Sequence, residues 1–262
     1  MQLRPSRVLR KLRAGEVVSC LRLNLADPRV AEIAARCGFD CIWSDMEHAP
    51  NTLRDVENQI RAAKAYDVDT LVRVVRGGYT DLIRPLEMDA TGIMVPHVMT
   101  AAEASEIARM TRFHPLGRRP LDGGNADGGY CMVPLDTYLQ QANEQRFIIV
   151  QIEDPEPMDE LEAIAAVPGI DMLFFGPGDF SQGIGAPGRF DDPRLIEARR
   201  LVAEAAARHG KFAGTTTPVE AVAACVELGY RFLSIGADVV AMTSYCQRIV
   251  AAFDEQVLKT RR

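Results

Sequence analysis

The sequence predicts an α/β protein folded as a single (β/α)8 TIM barrel over residues 1–262. Two observations carry this: eight short apolar runs recur along the chain, and each is followed by a stretch with helical patterning or helix-capping residues. A length of 262 residues also suits one such barrel. The runs cover residues 17–25, 39–45, 70–75, 92–98, 147–153, 172–177, 212–217 and 232–238. Segments such as FIIVQIE and MLFFGP are apolar almost without a break, as a parallel sheet covered on both faces requires. Between the runs, Asp27-Pro28 opens a helix carrying Ile33, Ala34 and Cys37 at helical spacing, and Asn51 is placed to cap a second that ends near Ala65. Thr100 caps AAEASEIARM, with Glu103 completing a capping box. Pro157, Pro193 and Pro218 each fall near a first helical turn, where a missing N–H costs little. A doubly wound open sheet is the alternative, but no G-x-G-x-x-G turn follows the first run.

Composition narrows the function classes. Hydrophobic residues make up 47% and charged residues 25%, an ordinary globular balance with ample material for a core. The net charge is −6 and no Lys/Arg cluster indicates nucleic acid as a partner. The six cysteines (Cys20, Cys37, Cys41, Cys131, Cys225 and Cys246) form no CxxC pair and read as free thiols of a reducing compartment. The basic N-terminal stretch MQLRPSRVLRKLRAGE lacks the apolar core of a signal peptide, and no run reaches the roughly 18 apolar residues that cross a membrane. The expectation is a cytoplasmic protein without a membrane partner. One glycine-rich segment, residues 114–130 (HPLGRRPLDGGNADGGY), interrupts the alternation. It lies either remote from the active end of the barrel or folded over it.

In a barrel of this type the chemistry sits at the carboxyl ends of the strands, so the polar residues that terminate the apolar runs are the candidates. The second run ends in Asp45, Glu47 and His48, and the third carries Arg73. The fifth ends in Gln151, Glu153 and Asp154, and the sixth runs into Gly176-Pro177-Gly178-Asp179. Charged groups in the last turn of an apolar strand are costly unless paired or metal-bound. Glu153 and Asp179 form the best metal pair: hard oxygen donors from adjacent strands suit a divalent ion such as Mg²⁺ or Mn²⁺. A purely structural assignment fits the same residues, with Glu153 paired to an arginine and Asp179 capping a turn. Asp45 and His48, three apart, can act as a carboxylate that fixes a histidine tautomer, although a lone strand-end histidine is more often structural. Arg73, inside LVRVV, needs an anion, either a substrate carboxylate or enolate, or Asp45 or Glu153. His97 follows Pro96 at the end of the fourth run and is a weaker candidate.

The segments FDCIWSDMEHAPN, LVRVV, GIMVPHVMTAAEA, FIIVQIED, GIDMLFFGPGDFSQGIGAPG and FLSIGAD, in this order, resemble the HpcH/HpaI family of class II 2-oxo-acid aldolases. The resemblance spans about residues 15–250, and its specificity lies in the combination of D-x-E-H-A-P, V-Q-x-E and G-P-x-D-x-S. It implies a barrel, a divalent metal (Mg²⁺, Mn²⁺ or Co²⁺), and cleavage of a 4-hydroxy-2-oxo acid to pyruvate and an aldehyde through a metal-stabilised enolate. It also implies a hexamer, a trimer of dimers, with the last helix exchanged between subunits. By the same resemblance Glu153 and Asp179 are the metal ligands, and His48 and Asp45 are a catalytic dyad. Arg73 steadies the enolate, and Gln151, Pro177, Gly178 and Ser181 lie on the substrate.

Two departures from the family pattern stand out. Gly178 replaces the usual alanine of G-P-A-D, and residues 117–130 replace an R-G-x-G segment, which puts the aldehyde specificity in question. A Schiff-base mechanism needs a lysine deep in the barrel, and none of Lys11, Lys64, Lys211 and Lys259 is placed for it. Two rivals are a citramalyl- or malyl-CoA lyase, for whose phosphates no basic cluster is evident, and a non-catalytic 2-oxo-acid-binding barrel.

Overall fold

The computed structural model describes residues 1–260. Its strands are β1 (Val18–Leu23), β2 (Cys41–Asp45), β3 (Asp69–Arg73), β4 (Gly92–Val95), β5 (Phe147–Ile152), β6 (Met172–Phe175), β7 (Phe212–Thr216) and β8 (Phe232–Ala237). They pair in chain order, all parallel, and β8 returns to β1 through Val18↔Phe232, which closes the barrel. The helices are α1 (Arg7–Arg13), α2 (Pro28–Arg36), α3 (Leu53–Lys64), α4 (Tyr79–Glu87), α5 (Ala101–Thr111), α6 (Leu135–Gln145), α7 (Leu161–Ala165), α8 (Pro177–Gly183), α9 (Pro193–Arg208), α10 (Val222–Glu227) and α11 (Asp238–Thr260). Each predicted apolar run coincides with one strand, although β3 begins one residue ahead of its run, at Asp69, and all but the second run extend past the strand into the rim.

Strand alternation builds two apolar layers. Phe147 and Ile149 point into the barrel with Cys20, Trp43, Leu71 and Phe174, whereas Ile148 and Val150 face the helices with Ile93 and Leu173, in one cluster with Val202 of α9. Helix α1 closes the amino-terminal end of the barrel by packing Val8, Leu9 and Leu12 into the inner layer. Ser6 fixes that plug: its hydroxyl accepts from Leu9 N–H and donates to the buried Asp69 carboxylate at 2.6 Å.

Local details differ from expectation. Helix α2 buries Ala31, Ala34 and Ala35, and leaves Ile33 62% exposed and Cys37 exposed. The cap of α3 is Thr52, reciprocated by Asp55, while Asn51 donates its side-chain amide to Asp45 O at 2.7 Å. Thr100 caps α5, but the Glu103 carboxylate accepts from Met99 N–H and pairs with Arg76, so the box is only half made.

The glycine-rich segment is anchored at the amino-terminal ends of the strands. Buried Arg119 and Asp127 pair at 2.7 Å, Tyr138 donates to the same carboxylate, and Phe113, Val133 and Tyr138 pack with Leu3. Neighbouring Arg112 binds the carbonyls of Gly169 and Arg146 and the Asp171 carboxylate, just before β6 and β5. Of the two placements foreseen, the chain adopts the one remote from the active end. Nothing in this arrangement lets the segment shape the aldehyde side of a site in its own barrel.

Helix α11 is joined to the barrel at its first residue. Asp238 accepts from the N–H groups of Asn24 and Leu25, both at 2.9 Å, tying β8 to β1, and it is the only buried residue of the 23 in the helix. Met242, Tyr245, Ile249 and Phe253 are exposed, and an apolar groove of about 420 Å³ runs between α2 and the start of α11. Among the described residues no helix is long and apolar enough to cross a membrane.

The inner layer leaves no slack at β4. A Cβ at Gly92 would lie 2.0 Å from the fully buried Phe147 ring. Gly92→Ala is therefore expected to cost about 1–3 kcal/mol and to lower the melting temperature by roughly 2–10 °C. A thermal denaturation curve unchanged from wild type would contradict this packing.

Candidate active site

The alternation that fills the barrel also decides which residues reach its mouth. Two positions beyond inward Cys20 is Arg22, two beyond Trp43 is Asp45, two beyond Leu71 is Arg73, and beyond Ile149 come Gln151 and Glu153. The next inward position of β6 is Gly176. An added Cβ there would meet Glu153 Cβ and Oε2 at 2.6 Å, so glycine is what allows Glu153 to lie against this wall.

Asp45 organises one half of the rim. It is fully buried and accepts from Arg73 Nε at 3.0 Å and Nη2 at 2.6 Å, and from Arg22 Nη2 at 2.6 Å. Both guanidinium groups lie over the Trp43 ring, at 4.9 Å for Arg73 and 5.4 Å for Arg22. Burial alone would raise the pKa of Asp45, but the hydrogen bonds and charge of Arg73, the charge of Arg22 and the Glu47 N–H hold it below the usual carboxylate range.

The pairing foreseen between Asp45 and the His48 ring is not formed. Asp45 Oδ1 meets only the backbone N–H of His48, at 3.5 Å, while the ring is half exposed on the rim loop with Nε2 3.6 Å from Glu47 Oε2. The physical reason is competition. Two guanidinium groups already take the carboxylate oxygens, and Glu47 N–H shares Oδ1 to set the turn that carries His48 outward.

The other half of the rim is acidic. Glu153 is fully buried; its Oε1 accepts from the His97 backbone N–H at 3.0 Å and its Oε2 from the Gln151 amide. His97 makes this contact from a left-handed conformation, φ 50°, rarely held by non-glycine residues. Its Nδ1 lies 2.8 Å from Asp154 Oδ2 and 3.7 Å from Glu153 Oε1, and its Nε2 3.6 Å from Glu47 Oε1. Burial works against protonation of His97, but the hydrogen bond to Asp154 and the charges of Glu153, Asp154 and Glu47 raise its pKa. Desolvation pushes Glu153 up to about 8; the charge and N–H of His97 oppose the shift, and Asp179 and Glu47 add to it.

These groups fit a divalent ion. Glu47, His97 and Glu153 bring one ligand atom each within 4.8 Å of one another, a hard oxygen and imidazole set. Among the described residues the buried Gln151 Oε1 has no hydrogen-bond partner, while Glu47 Oε2 is met by Arg73 Nη1 at 2.9 Å and leaves Oε1 toward the cluster. Asp179, in the first turn of α8, is exposed and acts on Glu153 through its charge. The tight cluster is thus Glu47–His97–Glu153 with Asp179 beside it, broader than the pair Glu153 and Asp179 read from the sequence.

The remaining candidates divide. Pro177 occupies the first turn of α8, and the space beside Gly178 is open, so an alanine at 178 would meet nothing within 4 Å. Ser181 is buried and its hydroxyl is committed to the backbone, donating to Gly178 O at 2.6 Å and accepting from Gly188 N–H at 2.9 Å. It braces the turn rather than presenting its hydroxyl to a ligand. Arg22 was missed, and Glu47 and His97 were noted without a role; their signal was position, since each sits at or just past an inward strand end. All four lysines lie away from this rim. Lys11 pairs with Asp40, Lys64 with Asp89, Lys211 binds the carbonyls of Val167 and Ile170, and Lys259 is on α11.

Comparison with known proteins agrees with this geometry. A profile described as HpcH/HpaI aldolase/citrate lyase matches residues 19–244. The hydroxypyruvate/pyruvate aldolase of Pseudomonas aeruginosa is 36% identical over 239 residues, covering 91% of this chain and 89% of the relative. The 2-keto-3-deoxy-L-rhamnonate aldolase of Klebsiella pneumoniae subsp. pneumoniae is 33% identical over 248 residues, covering 93% and 91%. The crystal structure of an HpcH/HpaI aldolase from Desulfitobacterium hafniense DCB-2 superposes with a TM-score of 0.90 at 31% identity, covering 95% and 96%. The chain belongs to the HpcH/HpaI aldolase/citrate lyase family and is a carbon–carbon lyase.

Proposed function

We propose that this enzyme is a divalent-metal-dependent class II aldolase that cleaves, or in reverse forms, a 4-hydroxy-2-oxo acid, with pyruvate and an aldehyde as the other partners. The observation that supports this most is Glu153, a carboxylate fully buried at the barrel mouth with Glu47 and Asp179 near it and, among the described residues, no arginine or lysine on it. A carboxylate so placed calls for a cation. The aldolase names of the relatives favour a 2-oxo acid as the substrate class.

In this reading Glu153 and Asp179 hold the ion (Mg²⁺, Mn²⁺ or Co²⁺), with Glu47 and His97 close enough to join them. When bound, the ion supplies Lewis-acid polarisation of the substrate's 2-oxo group. Arg73, held rigid by Asp45, places a fixed positive charge where the 2-oxo oxygen gains negative charge as the C3–C4 bond breaks. Gln151, aligned by Glu153, and the backbone at Pro177 and Gly178 contact the 2-oxo acid end. His48, on the rim loop, takes the proton of the 4-hydroxyl. Asp45 contributes by positioning Arg73, not by orienting the His48 ring.

We assign α11 to a second copy of this chain. Its exposed Met242, Tyr245, Ile249 and Phe253, and the open groove beside α2, are the two apolar surfaces that exchange of this helix between subunits would cover. The family resemblance extends this pairing to a hexamer built as a trimer of dimers, in the cytoplasm, where the unpaired exposed Cys37, Cys131 and Cys246 persist as thiols.

Pyruvate release from a 4-hydroxy-2-oxo acid, measured with and without EDTA, tests the chemistry. Activity should vanish on chelation and return with Mn²⁺ or Mg²⁺. Glu153→Ala should lower kcat/KM by about 10³-fold or more, and Arg73→Met by roughly 10²- to 10³-fold. A Glu153→Ala enzyme with full activity after chelation would overturn the reading. Light scattering coupled to gel filtration should give six copies per particle, and a monomer at micromolar concentration would contradict the helix exchange.

A further inference from the structure

Resting on the aldolase reading, we propose that Arg22 is the residue that selects the acceptor, binding a carboxylate carried by the aldehyde half of the substrate. The closed ring of eight strands puts β1 four strands from β5, on the opposite wall of the mouth. Glu153 follows β5 and Asp179 follows β6, while Arg22 shares Asp45 Oδ2 with Arg73, each at 2.6 Å, so a substrate that runs from that wall to Arg73 with its 2-oxo oxygen brings its far end within reach of Arg22. Arg22 is the inward-facing residue near the carboxyl end of β1.

The state of its side chain points to an anion. Its side chain is 28% exposed, yet among the described residues its buried Nε makes no hydrogen bond and only Nη2 is engaged, by Asp45. Asp45 cannot neutralise it fully, because Arg73 takes both oxygens of the same carboxylate. Glu47, the other acid in reach, pairs with Arg73 Nη1 at 2.9 Å and faces the cation cluster. Two guanidinium groups thus share one carboxylate on this side of the mouth. The more exposed of them retains free donors in the planar fork that matches a carboxylate. The Trp43 ring lies against both guanidinium groups.

The test runs aldol addition of pyruvate to paired aldehydes, alike in length, one ending in a carboxylate and one in a methyl group. Exchange of the pyruvate methyl protons in D2O, which needs no acceptor, is followed in parallel on the wild-type enzyme. Wild type should favour the carboxylated aldehyde in kcat/KM, and Arg22→Met should shrink that preference by roughly 10- to 100-fold. Arg22→Lys, which keeps the charge without the fork, should fall between. Exchange with no preference for the carboxylated aldehyde overturns the role of Arg22 and leaves the aldolase reading standing, as does a preference that survives Arg22→Met. Absence of exchange overturns the aldolase reading itself. Should Arg22→Met fail to fold, the wild-type preference and Arg22→Lys still decide.

Discussion

The rest of the mouth depends on one constraint: a carboxylate, Glu153, removed from water on the inner wall of the barrel with only the His97 ring, and among the described residues no arginine or lysine, to balance it. Burying such a charge is costly unless it is paired, protonated or bound to a metal. The surroundings partly satisfy it. The His97 backbone turns into a left-handed conformation to donate an N–H, Gln151 donates its amide, and Gly176 gives up a side chain to make room. These contacts fix its position but leave its charge to a cation, and the neighbouring Glu47 and Asp179 sharpen that demand by adding negative potential.

On the other half of the rim the polarity is reversed. Asp45 is buried against two guanidinium groups, so its proton is easily lost and its job is mechanical: it holds Arg73, and less completely Arg22, in place. Removing one partner of such a buried network leaves an uncompensated charge and costs about 3–5 kcal/mol. The mouth therefore presents an acidic cluster beyond β4–β6, joined by Glu47 from the turn after β2, and a cationic shelf of Arg22 and Arg73 on β1 and β3, a division suited to a substrate whose two ends differ.

Much of this was legible in the sequence because it follows from alternation. Runs such as FIIVQIE fixed the strands, and their polar ends marked Asp45, Arg73, Gln151 and Glu153. What was not legible depended on contacts between strands. The spacing of Asp45 and His48 fits a dyad, but whether their side chains meet depends on Arg22 and Arg73, which arrive from β1 and β3. His97 looked marginal because nothing local shows that its backbone faces Glu153, 56 residues on. Ser181 matched a motif, yet its hydroxyl is used within the turn. The glycine-rich segment sat between two placements because loop composition carries no information about which end of the barrel it packs on; the packing of its flanks on Leu3 and the Arg112 contacts just before β5 and β6 settle it.

The central claim, that the buried acid cluster exists to hold a divalent ion, is tested most directly by Mn²⁺ binding to the substrate-free enzyme, followed by electron paramagnetic resonance. The account predicts a single site per chain in wild type, lost or strongly weakened in Glu153→Gln and retained in Arg22→Met. No binding by wild type, or binding untouched by Glu153→Gln, would contradict it.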